Sequence, residues 1–297
     1  MAIPTVVENV YRGLTDEQIR KHCPSVFAED KYTDCSGKYT VIPTGDILTR
    51  LRQEGFTVVT AMQARSSNKE KFAHTNHLLR LRRISDLGRD ITTKIEVPEV
   101  IINNSTDRSR AWQFFLGFCR SFCLNGLVVG DPAGTMRLYH RGGEDTVARV
   151  VEGSLRIIGE SDKHLAVLQD MKRFHLSEQE QILFIKQAMK FRFGTDEEGK
   201  EAKKKQSVPY DPKSILVSVR FQDDAPTVNN IMNRAQEKLV KGARVQDTFG
   251  SWHKLQAIRD VRKNLSVNRA IWNLATASLE VKKLGGNLLD AKELFTH

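Results

Sequence analysis

The side chains with the clearest chemical potential are cations spaced along extended segments. In His77–Ile84 (HLLRLRRI), Arg80 and Arg82 lie two residues apart, so a strand would place them on one face with Arg83 on the other. The connection before this segment supplies Lys69 and Lys71, and the segment before that ends in Arg65. A later connection carries Arg108 and Arg110. Between Val58 and Arg83 the one acidic residue is Glu70. A cationic stripe of this kind suits phosphates spaced along a polynucleotide. Each contact releases a counterion and gives salt-sensitive, sequence-independent binding. A second basic set, Arg234, Lys238 and Lys241, brackets a helix end, with Arg244, Arg259, Arg262, Lys263 and Arg269 beyond it. Trp252 and His253 fall between these cations, where an aromatic ring can stack a base. Packing is the plainer role for Trp252. An aromatic content of 7% also argues against an extended stacking platform.

Other chemistries find less support. Cys119-x-x-x-Cys123 places two thiols at i, i+4 on an expected helix, but a structural zinc site wants four ligands and usually a Cys-x-x-Cys knuckle. On a Trp/Phe face, Cys119 reads as a small hydrophobe. His74 and His77 lack an acidic partner to complete a site and read as polar surface. No Walker P-loop or G-x-G-x-x-G occurs, and Gly130-Asp131-Pro132-Ala133-Gly134 is a turn sequence. No Gly-x-Ser-x-Gly or His-Glu-x-x-His is found. Asp223-Asp224 could contribute to a magnesium site, but reads as helix-start chemistry ahead of Pro226. The sequence therefore predicts no catalytic residue, no metal ligand and no cofactor.

The elements that must position the cations follow from patterning. Residues 1–36, with Cys23 and Cys35, read as a loose N-terminal arm with one short helix capped by Thr15. Thr44 or Asp46 caps a helix from Ile47 to Glu54 that Gly55 ends. Three strands are predicted over Phe56–Arg65, His77–Ile84 and Lys94–Asn103. Pro98 implies a bulge, a break or an edge position in the third. Ser109–Leu124 is predicted as a helix with Trp112, Phe115, Cys119 and Phe122 on one face. A hairpin follows, Leu127–Val129 with Met136–His140. Helices are expected from Asp145 or Thr146, from the capping box Ser177-x-x-Glu180, near Val228–Lys241 and over Leu265–Lys283. The expected class is α+β: an antiparallel sheet with packed helices and a helical C-terminal half. The expected divisions are 1–36, a core over 37–195 carrying the basic hairpin, a charged loop over 196–208, and a helical region over 209–297.

Composition sets the class of partner. The net charge is +10 with a pI near 9.5, and a positive field favours a polyanion. Hydrophobic residues at 40% and charged residues at 28% describe an ordinary globular chain. No apolar run is long enough to span a membrane, the first residues lack a signal-peptide pattern, and four cysteines suit a reducing cytoplasm, which is the expected location.

Two stretches carry a family likeness. One is Tyr39-Thr40-Val41-Ile42-Pro43-Thr44 with Ile47-Leu48, then Phe56 to Arg65 and Phe72-Ala73-His74. The other is Asn233-Arg234-Ala235-Gln236-Glu237-Lys238-Leu239-Val240-Lys241-Gly242 with Asn268-Arg269-Ala270-Ile271-Trp272. Together they resemble the phage/plasmid-like domain-of-unknown-function family numbered nine-thirty-two, over about residues 37 to 280. Lys238 and Ala243 depart from the Asn and the second Gly expected there. The resemblance implies a mobile-element origin and names no catalytic residue. The predicted topology is also similar, at the level of fold, to the Red-beta, RecT and Erf single-strand annealing proteins. That likeness implies a basic groove beside a hairpin, single-stranded DNA as partner, and homo-oligomeric rings or filaments. The expected function is thus ATP-independent binding and annealing of single-stranded DNA. A counter-defence protein binding a host restriction, CRISPR or recombination complex is the alternative, and a metal-dependent nuclease the third.

Overall fold

The computed structural model describes residues 5–33, 41–87, 96–120, 126–128, 135–138, 146–194, 210–219 and 223–291. Cys35, Cys123, the turn 131–134 and the charged loop 196–208 lie outside them. The chain divides into two compact units, Met1–Asp162 with Arg259–Val261, and Lys163–Ile258 with Arg262–His297. The division comes well before the expected charged loop.

The first unit is a seven-stranded antiparallel sheet with helices against it. Its elements are β1 (Thr5–Glu8), α1 (Asp16–His22), α2 (Thr44–Gln53), β2 (Phe56–Gln63), α3 (Lys69–Phe72), β3 (His77–Arg83), β4 (Glu96–Asn104), β5 (Trp112–Arg120), β6 (Gly126–Val128), β7 (Thr135–Leu138) and α4 (Thr146–Gly159). The strands run in spatial order β1 to β6, and β7 also pairs with β5. Residues 5–33 are not a loose arm. β1 adds to β2 in register Val7↔Ala61, and Val10, Leu14, Ile19, Cys23 and Val26 are buried. Thr15 does cap α1, through a full capping box with Gln18. In α2 the buried stripe Ile47, Leu48 and Leu51 packs towards β2, and Gly55 follows at φ +82.

Two expectations fail here. The predicted helix over 109–124 is the strand β5, paired with β4 from Gln113↔Asn103 to Arg120↔Glu96. Trp112, Phe114, Phe115, Leu116 and Phe118 are all buried, so both faces are apolar and the helical period found a false match. Cys119 consequently sits on a strand, and Cys123 lies outside the described residues. The segments read as a hairpin, β6 and β7, do not pair with each other but both add to the same β5: β6 at Gly117–Cys119 and β7 at Trp112–Phe115. Pro98 does not break β4. It pairs with Phe118 on one side and lies beyond Val100↔Leu81, where the β3 ladder ends, so its missing N–H costs no ladder bond to β3.

The second unit is mainly helical. Its elements are α5 (Ser161–Met171), α6 (Glu178–Phe193), α7 (Pro212–Leu216), α8 (Val228–Lys241), the hairpin β8 (Ala243–Gln246) with β9 (Trp252–Leu255), and α9 (Val261–Lys283). α6 opens on the predicted capping box of Ser177 and Glu180. Glu180 is buried, yet its carboxylate accepts from the main-chain N–H of Ser177 (2.8 Å) and Leu288 (3.1 Å) and from Lys282 Nζ (3.0 Å). Burial works to raise its pKa, but these donors prevail and hold it below the usual range. α8 ends at Gly242, φ +85, where a Cβ would stand 2.4 Å from Leu255 O. The chain can turn from helix to strand there only with glycine. Ala243 is already in β8 and needs no positive φ, so the absent second glycine is no loss. The hairpin was not foreseen.

Candidate nucleic-acid interface

The expected stripe on β3 is present in the chain trace and absent from the surface. Arg80 pairs in register with Ile101, so Glu99, two residues away on β4, shares its face. Arg80 Nε donates to Glu99 Oε2 at 2.5 Å and Arg82 Nε to Oε1 at 2.6 Å. Arg82 and Glu99 are buried and Arg80 nearly so, and Arg82 also reaches Val10 O at 3.4 Å. These guanidinium groups are structural. Their acidic partner comes from the next strand, beyond the acid-poor stretch Val58–Arg83. Arg83 is exposed but stands at the other end of β3, opposite Phe56, with its guanidinium 5.8 Å from that ring.

The second expected set is also corrected. Arg234 is buried and its guanidinium donates to the main-chain oxygens of Leu216 (3.0 Å), Asp223 (2.8 Å) and Asp224 (2.6 Å). Lys238 is buried with Nζ 2.7 Å from Ser214 O. Burial pushes both cations below their usual pKa. Arg192 behaves likewise, donating to Leu239 O and Gln256 O. Lys241 alone of the predicted trio is exposed. Asp223-Asp224 is not helix-start chemistry, because α8 begins after Thr227, which caps it. That acidic pair instead lends its carbonyls to Arg234. Among the described residues no group of three or more His, Cys, Asp or Glu could hold a metal ion.

His77 is not a surface group, and His74 is half-buried. His77 is buried, with Nδ1 3.0 Å from Ser25 Oγ and Nε2 3.0 Å from Thr44 Oγ1. The buried row Gln63–His77–Asn104 crosses three strands. Asn104 donates to Ile42 O and Thr44, and Gln63 accepts from the Ser25 N–H, so the row fastens the sheet to the segments before α2. Ser25 and His77 make a nucleophile-like pair only in name, since the ring's other nitrogen faces a threonine hydroxyl and the serine is buried.

What remains of the predicted site collects at one end of the sheet. β2 ends, β3 begins, β4 ends and β5 begins there, because Gln63 pairs with His77 and His77 with Asn104. The connections 64–76 and 105–111 are tied together: Thr106 N–H donates to His74 O (3.1 Å), and His74 Nδ1 lies 2.9 Å from Thr106 Oγ1. Tyr32 joins them, donating its N–H to Thr106 O and packing its ring 5.7 Å from His74. Asn68 caps the single turn α3 that carries Lys69 and Lys71, and the Lys71 ammonium stands 5.9 Å from the Tyr32 ring. Arg65, Lys69, Lys71 and Arg108 are all exposed, and none is paired with a carboxylate among the described residues. Glu70 and Asp107 are the neighbouring acids on the same connections. The Asp107 side chain is engaged by the Ser109 N–H at 2.9 Å. Arg110 is half-buried, with its N–H on Ser105 Oγ.

Arg108 is distinctive. Its φ of 63 is the one positive value on a non-glycine among the described residues. The Asp107 turn and the Ser105 hydroxyl hold the loop in that form, at an expense a glycine would avoid. Arg108→Gly is expected to raise stability by about 0.5–1 kcal/mol in urea denaturation, because the left-handed strain goes. A fall instead would mean that the side chain packs the loop.

In unit two the structure overturns one further reading. Trp252 is not packed: it is 57% exposed, with the Arg244 guanidinium 5.7 Å from its ring.

Comparison with known proteins settles the family. A family model described as a domain of unknown function, DUF932, matches residues 32–272. The chain belongs to the DUF932 family. It is similar to two Escherichia coli (strain K12) proteins, UPF0380 protein YafZ and UPF0380 protein YfjQ. Each is 34% identical over 269 residues, covering 90% of this chain and 92% of the relative. No solved structure matches. The DUF932 match spans the sheet-end cluster from Tyr32 to Arg108 as well as the β8–β9 hairpin. No helix of the described residues is long and apolar enough to cross a membrane.

Proposed function

We propose that this DUF932 protein binds single-stranded DNA through the end of its sheet and promotes annealing of complementary strands without ATP. The observation that carries the reading is the gathering of four exposed, unneutralised cations, Arg65, Lys69, Lys71 and Arg108, on two connections locked to each other. A fixed array of this kind neutralises neighbouring phosphates while leaving base edges free to pair. One such array covers few phosphates, so association of several copies on one strand is part of the proposal. The cytoplasm and a mobile element are the setting it suits.

The test is oligonucleotide binding by anisotropy across a salt series. Four phosphate contacts on a single strand contribute about −3 to the slope of log K against log salt. The variant Arg65→Ala/Lys69→Ala/Lys71→Ala/Arg108→Gly is expected to lose most of that slope with no fall in its unfolding midpoint. It should also slow annealing of complementary oligonucleotides measured with no nucleotide added. An unchanged slope removes this surface from consideration. Magnesium-dependent loss of the oligonucleotide would favour a nuclease instead, and a nuclease-resistant host protein partner would favour counter-defence.

A further inference from the structure

We infer that the outer face of the β8–β9 hairpin is a base-stacking site for single-stranded nucleic acid. This deepens the reading above and rests on it for the class of polymer.

The hairpin has two unlike faces. Register pairs Ala243 with Leu255 and Val245 with His253, and on that inner face Val245 and Leu255 are buried. The outer face takes the alternate residues, Arg244 opposite Lys254 and Gln246 opposite Trp252. Arg244, Trp252 and Lys254 are exposed, and the turn adds Phe249 at 87% exposure. On this face the Arg244 guanidinium stands 5.7 Å from the Trp252 ring with Lys254 opposite Arg244, and the adjoining turn exposes a second ring, Phe249. Neither Arg244 nor Lys254 has a carboxylate partner among the described residues. Like charges directly opposite across two strands destabilise a hairpin, and a phosphate between them removes that repulsion. The stacking rings offer any base a π-face, and the cations hold the backbone that joins successive bases.

The hairpin is held in place rather than left loose. Asp247 accepts from the Phe249 N–H (2.8 Å) and Ser251 N–H (2.9 Å), and its other oxygen lies 2.7 Å from His253 Nε2. The His253 contact and then these N–H groups hold its carboxyl below the usual range. Gln246 O accepts from the Asp211 N–H at 2.9 Å, and Gly242 brings the hairpin's base close against the end of α8. Phe249 and Trp252 therefore stay in water without collapsing onto the core.

The chain has three tryptophans, and Trp112 and Trp272 are buried, so Trp252 supplies the solvent-exposed emission. Titration of the full chain with oligo-dT, oligo-rU and an abasic deoxyribose-phosphate oligomer tests the site. The expected result is quenching of that emission by oligo-dT, oligo-rU or both, with the better quencher naming the natural polymer. Trp252→Ala should weaken binding of the base-bearing oligomer about tenfold, in line with the loss of one stacked base. It should leave binding of the abasic oligomer unchanged. Quenching by the abasic oligomer alone, or Trp252→Ala and Phe249→Ala variants that bind base-bearing oligomers as tightly as the unaltered chain, overturns the stacking site. Salt-dependent binding would in that case persist, so the sheet-end reading would stand. A chain that binds none of the three oligomers overturns both.

Discussion

Glu99→Gln is expected to lower folding stability by about 3–5 kcal/mol, the cost of removing one side of a buried ionic group. The carboxylate serves two guanidinium groups, Arg80 at 2.5 Å and Arg82 at 2.6 Å, in the interior of the sheet. An amide offers one acceptor oxygen where the carboxylate offers two, and it withdraws the negative charge from a place where water is excluded. Replacing all three by apolar residues of similar volume should be far milder, near neutral or stabilising, because the desolvation of every charge goes together. Urea midpoints of the single and triple variants decide the matter. A Glu99→Gln loss under about 1 kcal/mol would place these groups in water rather than in the sheet. The same reasoning governs DNA-binding tests. An Arg80→Ala/Arg82→Ala variant strands Glu99, so lost binding there would report lost structure.

Arg234→Lys is the second large effect, about 2–4 kcal/mol. The guanidinium spans the oxygens of Leu216, Asp223 and Asp224 with several donors in one rigid plane. An ammonium reaches one or two of them and leaves the rest without its hydrogen bonds, at about 1–3 kcal/mol for each buried acceptor. Unfolding by urea, with oligonucleotide affinity of the folded protein as the second readout, checks it. Lost stability with unchanged affinity fits a side chain directed inward. Unchanged stability with weaker affinity would restore Arg234 to the interface.

Local signals in the sequence were reliable where one short-range interaction sets the element. Thr15 and Ser177 marked their helices through capping boxes, and β2 and β3 followed β-branched and alternating residues. β5 was misread because a strand buried on both faces, from Trp112 to Phe118, satisfies a helical and an extended period alike. The β8–β9 hairpin was legible in retrospect from Asp247 and Gly250 between two alternating tetrads. Charge placement was the least legible property. Arg82, Arg192, Arg234 and Lys238 all count towards the basic excess, yet each is buried on a carboxylate or a carbonyl that lies far away in sequence. Arg65, Lys69, Lys71, Arg83, Arg108 and Lys241, which lie on connections or at the ends of elements, keep their charge at the surface.

Glu180 bears on how the molecule can be shortened. The family match stops at residue 272, inside α9, whereas the carboxylate that starts α6 is gripped by Lys282 and by the main chain of Leu288. Trimming the polypeptide to its matched boundaries would unfasten a helix about a hundred positions upstream. Functional dissection should therefore proceed by point replacement and retain the tail at least through Leu288.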